Sequence, residues 1–175
     1  MTMKMTDLFL AELEREAEGT RKVLERVPEG RYDWKPHDRS MPLGSLAGLV
    51  ATMPAWIAIT IKNDEWDLKP ASGPRPQPQL RTRSELLKAF DEALAAGRQA
   101  IADTSDEHLM KPWRLLVGGT VVAEQPRHIM LRDSVFNHLA HHRGQLTVYL
   151  RLNEASVPAI YGPSADEGKF EELVA

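Results

Sequence analysis

Apolar residues recur at helical spacing in four long stretches of the chain. From Leu8 to Val27, leucines, alanines and valines stand between charged residues at a helical period, and Pro28-Glu29-Gly30 ends the pattern. The second stretch begins at Pro42, whose fixed φ suits a first helical position, and continues to Ile61. Pro54 lies in its middle and predicts a kink. The first half of the chain therefore predicts two amphipathic helices, the second of them bent.

The second half of the chain predicts two further helices and a hairpin. Ser84 is the expected N-cap of a third helix that ends near Thr104, and the fourth runs from about Pro126 to Asn153. Between them, residues 115–122 form two short β-rich runs around a Gly-Gly pair, which is typical of a hairpin. The proline-rich residues 66–80 predict a loop within a single domain. Together these patterns predict an all-α fold, a four-helix bundle with a small β-hairpin between helices three and four.

Composition excludes several classes of function. The 22 basic and 25 acidic residues give a formal charge of -3 without runs of like charge, so the chain lacks the basic surface of a nucleic-acid-binding protein. There is no cysteine, which excludes disulfides and thiolate ligands and leaves His, Asp and Glu as strong metal ligands. No window resembles a signal peptide or the ~20 apolar residues of a membrane span. We therefore expect a cytoplasmic protein that binds neither nucleic acid nor membrane.

Half of the six histidines fall within five positions of the predicted fourth helix. At about 100° per residue, His138 and His142 lie roughly 40° apart and leave the same face one turn apart. This spacing lets a helix offer two nitrogens to one metal ion. Apolar neighbours in the same sector, such as Val135 and Leu146, predict that the pair points inward. His141 lies to the side and is expected at a rim or on the surface.

Two histidines alone do not complete a metal site, because a catalytic zinc needs at least three protein ligands. A lone inward pair is also compatible with ordinary core histidines that are satisfied by hydrogen bonds. The second helix should pack beside the fourth, yet residues 43–61 contain no histidine and no carboxylate. His37 and Asp38 precede that helix and are either rim ligands or part of a polar turn. The third ligand is thus the open question of this sequence.

The remaining chemical candidates have simpler interpretations. His108 and His128 stand near predicted helix ends, where a histidine interacts with terminal carbonyls or meets water. Asp133 and Arg143 are expected to be surface charges. Large aromatics in a bundle line a pocket mouth or fill the core. The tryptophans in question are Trp34, Trp56, Trp66 and Trp113.

Three segments of the chain resemble the DinB/YfiT-like superfamily of metalloenzymes. They are HLAHHRGQL at residues 138–146, VPAIYGPSADE at 157–167 and MPLGSLAGLVATMPAW at 41–56. The resemblance implies a four-helix bundle, often dimeric, in which three histidines hold a divalent metal. By that resemblance His138 and His142 are two of the ligands, and the third position, on helix two, is occupied by Leu49. A leucine cannot coordinate, so a nickel, zinc or iron site is expected to be weak or absent unless His141, His37 or water compensates.

The resemblance also implies a function. Some members of the superfamily are thiol-dependent transferases that use a low-molecular-weight thiol, which is compatible with a chain that has no cysteine of its own. We therefore expect a homodimeric, divalent-metal-dependent thiol transferase with an incomplete histidine site, in which Tyr149 or Gln145 contacts the substrate. The alternative is a non-catalytic, stress-associated ligand-binding protein that has lost its metal. The sequence leaves both open and names neither substrate nor thiol.

Overall fold

The computed structural model describes residues 3–73 and 79–169, and most of them are helical. A π-helical segment, Arg132–Asn137, joins the last two helices into one continuous rod. The elements in chain order are α1 (Met5–Leu24), α2 (Leu43–Thr52), α3 (Ala55–Lys62), β1 (Glu65–Asp67), α4 (Arg83–Ala102), α5 (Asp106–Leu109), β2 (Pro112–Val117), β3 (Thr120–Pro126), α6 (Arg127–Leu131) and α7 (His138–Leu152).

The third predicted helix, α4, begins earlier than its sequence pattern suggested. The N-cap is Thr82 and not Ser84, because Thr82 forms a capping box with Glu85. The Thr82 side chain accepts from the Glu85 backbone N–H at 3.2 Å, and the Glu85 carboxylate accepts from the Thr82 N–H at 2.9 Å. This reciprocal pair of hydrogen bonds satisfies two backbone N–H groups that have no partner within the first helical turn. Ser84 lies inside that turn and caps neither of them.

The second predicted helix is divided where Pro54 was expected to kink it. Its two parts, α2 and α3, meet at an angle of 51° across Met53 and Pro54. Within residues 3–73 and 79–169, no single helix is long and apolar enough to cross a membrane. The two helices of this bent pair reach the necessary length and apolar character only when they are counted together. The break lets one stretch of sequence lie along two walls of the interior.

Gly97 of α4 packs directly against this break. A Cβ added at Gly97 would lie 2.9 Å from the backbone oxygen of Pro54, which is closer than a methyl group can approach without a backbone shift. Overpacking of this kind costs about 1–3 kcal/mol, which exceeds the gain in helix propensity of about 1 kcal/mol for Gly→Ala.

We expect Gly97→Ala to lower the free energy of unfolding, measured by urea denaturation. Gly144→Ala is the matched control, because Gly144 is an exposed helical glycine whose added Cβ would meet nothing within 4 Å. That control should stabilise the protein by about 0.5–1 kcal/mol. Stabilisation by both substitutions would contradict the close approach at Gly97.

The last predicted helix is confirmed as a continuous rod, α6 to α7, with the π-helical segment inside it. Its inward face is the one expected from periodicity, since Leu131, Val135 and Leu146 are buried. A π-helical turn is a common sign of a functional site within a helix. Here it lies immediately before His138.

The predicted hairpin is confirmed as β2 and β3, but it belongs to a larger sheet. Strand β1 pairs with β2 in parallel, and β2 pairs with β3 in antiparallel fashion. The Asp67 carboxylate at the end of β1 accepts from the backbone N–H groups of Gly118 and Gly119, at 2.9 and 2.7 Å. Both glycines have the positive φ that a tight hairpin turn requires. The fold is therefore mostly helical with a small three-stranded sheet, and the all-α expectation is corrected.

The helices share one core. Helix α1 packs against α4 and α7, α2 packs against the same two helices, and α3 packs against α4 and α6. The largest fully buried apolar side chains of the core include Leu13, Leu46, Ile57 and Phe90. The sheet lies beside α3, to which β1 is joined by the short connection at residues 63–64. This arrangement leaves a space between α2–α3 and the sheet.

Candidate functional site

A cavity of about 860 Å³ occupies the space between α2–α3 and the sheet. Helix α2 contributes Gly48 and Leu49 to its wall, α3 contributes Trp56, and β2 contributes Trp113. His138, at the start of α7, closes one side. The cavity therefore brings together residues from segments that are far apart in the sequence.

The two histidines lie together, as their spacing on the helix predicts. The Nε2 atoms of His138 and His142 are 2.8 Å apart. His142 is buried, with 9% of its surface exposed, and His138 is half-buried in the cavity wall. His138 is thus the member of the pair that a molecule in the cavity would touch.

A hydrogen bond on the other ring nitrogen orients His142. The Nδ1 of His142 lies 2.8 Å from Oε1 of Gln145, and an oxygen there only accepts, so Nδ1 carries the proton. The Nε2 of His142 then accepts, and the Nε2 of His138 donates, in the 2.8 Å contact between the two rings. Carbonyl partners of this kind commonly orient histidines that bind metals.

The surroundings favour the neutral form of His138. Burial lowers the pKa of its imidazole below the ordinary value, and the neighbouring rings of His142 and His141 lower it further. The Ser134 backbone acts in the opposite direction. A neutral imidazole is the form that accepts a proton or binds a metal.

By the resemblance, the third ligand position falls at Leu49, whose side chain has no donor atom. Leu49 lines the same cavity as His138, and its helix packs against α7. Across the described part of the chain, no group of three or more His, Asp or Glu residues is arranged to hold a metal ion. The donor set therefore fits two positions of a divalent metal and does not fit the three-histidine site that the resemblance implies.

The proposed substitutes for that ligand do not reach the pair from the cavity side. His141 is exposed; its ring centroid is 4.9 Å from that of His142 and 6.5 Å from that of His138. His37 is exposed on the loop before α2, where its Nδ1 accepts from the Arg39 backbone N–H at 3.1 Å. This contact agrees with the polar-turn interpretation of His37 and Asp38. Neither residue completes the site in this structure.

His108 and His128 form the backbone contacts typical of histidines near helix ends. Nε2 of His108 lies 2.9 Å from the Ile61 oxygen, and Nδ1 of His128 lies 3.2 Å from the Leu109 oxygen. Asp133 is exposed, as expected for a surface charge. These residues stand outside the cavity wall.

The expectation that Arg143 is a surface charge is wrong. Only 1% of Arg143 is exposed, and its guanidinium donates to the Glu16 carboxylate at 2.6 Å and to the Thr20 hydroxyl at 3.0 Å. The Tyr161 hydroxyl donates to the same carboxylate at 2.6 Å. Periodicity carried a signal that was overlooked, because Arg143 shares a helix face with the buried Leu139, Leu146 and Leu150.

Arg127 is a second buried arginine that the sequence pattern did not reveal. Its guanidinium donates to the Thr60 oxygen at 3.2 Å, to the Pro112 oxygen at 2.8 Å and to the Asn63 oxygen at 3.1 Å. The Asp64 carboxylate completes the set. Arg127 thereby joins the end of α3 to the start of β2, which holds two walls of the cavity in place.

Tyr149 and Gln145, which we expected to contact the substrate, form internal hydrogen bonds in this structure. The Tyr149 hydroxyl donates to the Met41 oxygen at 3.1 Å. Gln145 is exposed and bonds His142. Neither residue lines the cavity. Their roles in this structure are to hold the loop before α2 and to orient the histidine pair.

The tryptophans separate into two groups. Trp56, Trp66 and Trp113 line the cavity. Trp34 packs edge-on against Tyr149, with ring centroids 5.6 Å apart. The pocket interpretation therefore holds for the first three and the core interpretation for Trp34.

Comparison with known proteins places this geometry in a wider context. A family model described as "DinB family" matches residues 1–173. A protein of Bacillus subtilis (strain 168), described as uncharacterized protein YrdA, is 26% identical over 161 residues, which cover 92% of this chain and 90% of that protein. A DinB-like protein of Bacillus cereus ATCC 10987 has a similar structure, with a TM-score of 0.68 and 22% identity over 92% of this chain and 100% of its own. The DinB-like protein YjoA of Bacillus subtilis also has a TM-score of 0.68, with 16% identity over 90% of this chain and 99% of its own.

Proposed function

Because the chain belongs to the DinB family, we propose that it binds a small organic molecule in the cavity beside His138. The observation that carries the proposal is a cavity of about 860 Å³ with one histidine of an oriented pair in its wall. Cavities of roughly 300–1,000 Å³ are the usual size for small-molecule sites. Binding is thus the function that this geometry supports best.

The composition of the cavity wall also supports binding. Apolar side chains such as Leu49, Trp56 and Leu115 supply contact surface, and His138 with the hydroxyls of Ser45 and Ser134 supplies a few polar groups. A mostly apolar wall with few polar groups is the common design of a small-molecule site, in which burial gives affinity and the polar groups give orientation.

Metal-dependent thiol transfer is the second candidate. The proximity of the pair favours it, because the two Nε2 atoms lie side by side while the Gln145 carbonyl group holds Nδ1 of His142. The incomplete donor set argues against it, since Leu49 supplies no third nitrogen. A nickel, zinc or iron ion bound by His138 and His142 alone would be held weakly. The thiol cosubstrate and the homodimer stay predictions from the resemblance, and the cytoplasmic location and the four-helix-bundle classification stay predictions from the sequence.

A cavity-filling substitution tests the binding proposal. Gly48 lies in the wall, and an added Cβ would meet only a Leu80 methyl group at 4.0 Å, so a larger side chain would enter the cavity without a backbone clash. We expect Gly48→Phe to weaken binding of the neutral fluorescent probe N-phenyl-1-naphthylamine about tenfold or more, since lost apolar contact of about 1.4 kcal/mol has that effect. Fluorescence titration measures the change.

Gly144→Phe is the control for this experiment. Gly144 is also a helical glycine with free space around it, but it is exposed and outside the cavity wall. Its substitution should leave probe affinity unchanged. Equal affinity of wild type and Gly48→Phe, with both proteins folded by circular dichroism, would show that the probe does not bind in the cavity and would overturn the proposal.

A further inference from the structure

We propose that the cavity takes an uncharged molecule with fused aromatic rings, stacked against Trp56 beside His138. This inference rests on the proposed binding function and names the class of ligand for the same cavity. Two properties of the wall carry it: its aromatic surface and its lack of an unpaired charge.

Aromatic side chains reach the cavity from three different elements. Trp56 comes from α3, Trp66 from β1 and Trp113 from β2. The Trp56 and His138 rings form a corner, with centroids 5.7 Å apart and planes inclined at 53°. Offset and edge-on aromatic contacts add stabilisation beyond the burial of area alone. A planar aromatic ring stacked on Trp56 would meet the His138 ring at a tilt, and both are favourable aromatic arrangements that a puckered saturated ring cannot form.

The charges of the wall are already paired with each other. Among the described residues that line the cavity, the charged side chains are Asp33 and Arg81, which form an ion pair. The pair lies at the rim, where the two side chains are 85% and 51% exposed. A charged ligand would therefore lose water of hydration inside the cavity without meeting a free partner charge.

The other titratable groups of the wall offer no charge either. Burial raises the pKa of Tyr32 to about 12, so its hydroxyl is neutral at ordinary pH. His138 already shares its Nε2 with His142. The wall thus discriminates against both carboxylates and amines as ligand groups.

Displacement of N-phenyl-1-naphthylamine by three matched compounds tests the ligand class. The compounds are 2-naphthol, its saturated counterpart decahydro-2-naphthol, and 2-naphthoate, which keeps the rings and adds a charge. At pH 7 we expect 2-naphthol to bind the wild-type protein roughly tenfold more tightly than either of the others. Equal displacement by decahydro-2-naphthol would overturn the aromatic part of the inference, and tighter binding of 2-naphthoate would overturn the uncharged part.

Tryptophan variants test whether the preference for the aromatic compound arises at the cavity tryptophans. Trp56→Leu should bring the affinities for 2-naphthol and decahydro-2-naphthol close together. Trp34→Leu, the control, changes a partly buried tryptophan outside the cavity wall and should keep the preference. Trp66→Leu serves in the same role if Trp56→Leu does not fold, as judged by thermal unfolding. A preference that survives in folded Trp56→Leu, or in Trp66→Leu where it replaces that variant, would overturn the inference.

Failure of this inference is distinguishable from failure of the proposed function. If saturated and aromatic compounds displace the probe equally while Gly48→Phe still blocks it, the cavity binds ligands without the aromatic preference. If Gly48→Phe has no effect on the probe, the binding function itself is wrong.

Discussion

Replacing Arg143 with methionine is expected to lower the free energy of unfolding by about 3–5 kcal/mol, because it leaves the buried Glu16 carboxylate without its cation. In the folded protein, 1% of Arg143 and 8% of Glu16 are exposed, and their side chains are joined at 2.6 Å. The substitution also removes the donor to the Glu16 backbone oxygen at 3.0 Å. The Tyr161 hydroxyl remains as a partner but carries no positive charge. Urea denaturation followed by circular dichroism measures the change.

Arg151→Met is the matched control for this prediction. Arg151 stands on the same helix two turns later and pairs with Asp166, but its side chain is 49% exposed. Exposed ion pairs contribute about 0–1 kcal/mol, so this variant should lose little stability. A double variant, Arg143→Met with Glu16→Leu, should recover most of the loss, because an apolar pair replaces a buried ion pair at little cost. Similar losses in Arg143→Met and Arg151→Met would contradict the argument from burial.

Leu49→His is expected to raise affinity for zinc or nickel on the order of a hundredfold, about 2.8 kcal/mol, by adding a third nitrogen to the His138–His142 pair. The reason is position: Leu49 lines the same cavity as His138, on a helix that packs against α7. Isothermal titration with each metal alone, on protein purified without a histidine tag, measures the gain.

The gain in metal affinity of Leu49→His should depend on the existing His138–His142 pair. Adding His138→Ala to Leu49→His should return the affinity to that of the wild type or below it. Unchanged affinity in Leu49→His would mean that α2 does not direct position 49 toward the pair. Stoichiometric metal in the wild-type protein, lost in His138→Ala and His142→Ala, would instead favour the transferase as the function.

Helical periodicity alone was sufficient for the parts of the site that lie on one helix. The pairing of His138 with His142 depends on a four-residue spacing, and the structure places their Nε2 atoms 2.8 Å apart. The same local reasoning predicted the break at Pro54 and the hairpin of β2 and β3. It was least reliable for polar residues, because periodicity does not show whether a charge on a buried face has a partner. Arg143 is the clearest case.

The helices, the hairpin and the histidine pair could be predicted from local sequence patterns, because each depends on contacts between residues a few positions apart. The space that these elements enclose depends instead on packing between distant parts of the chain. The Arg143–Glu16 pair joins residues 127 positions apart, and Asp67 reaches Gly118 across 51 positions. The cavity likewise exists only where α2–α3, the sheet and α7 meet, so its volume and its aromatic wall depend on packing between distant segments. No local pattern encodes such contacts, since their formation depends on the whole chain closing around one core.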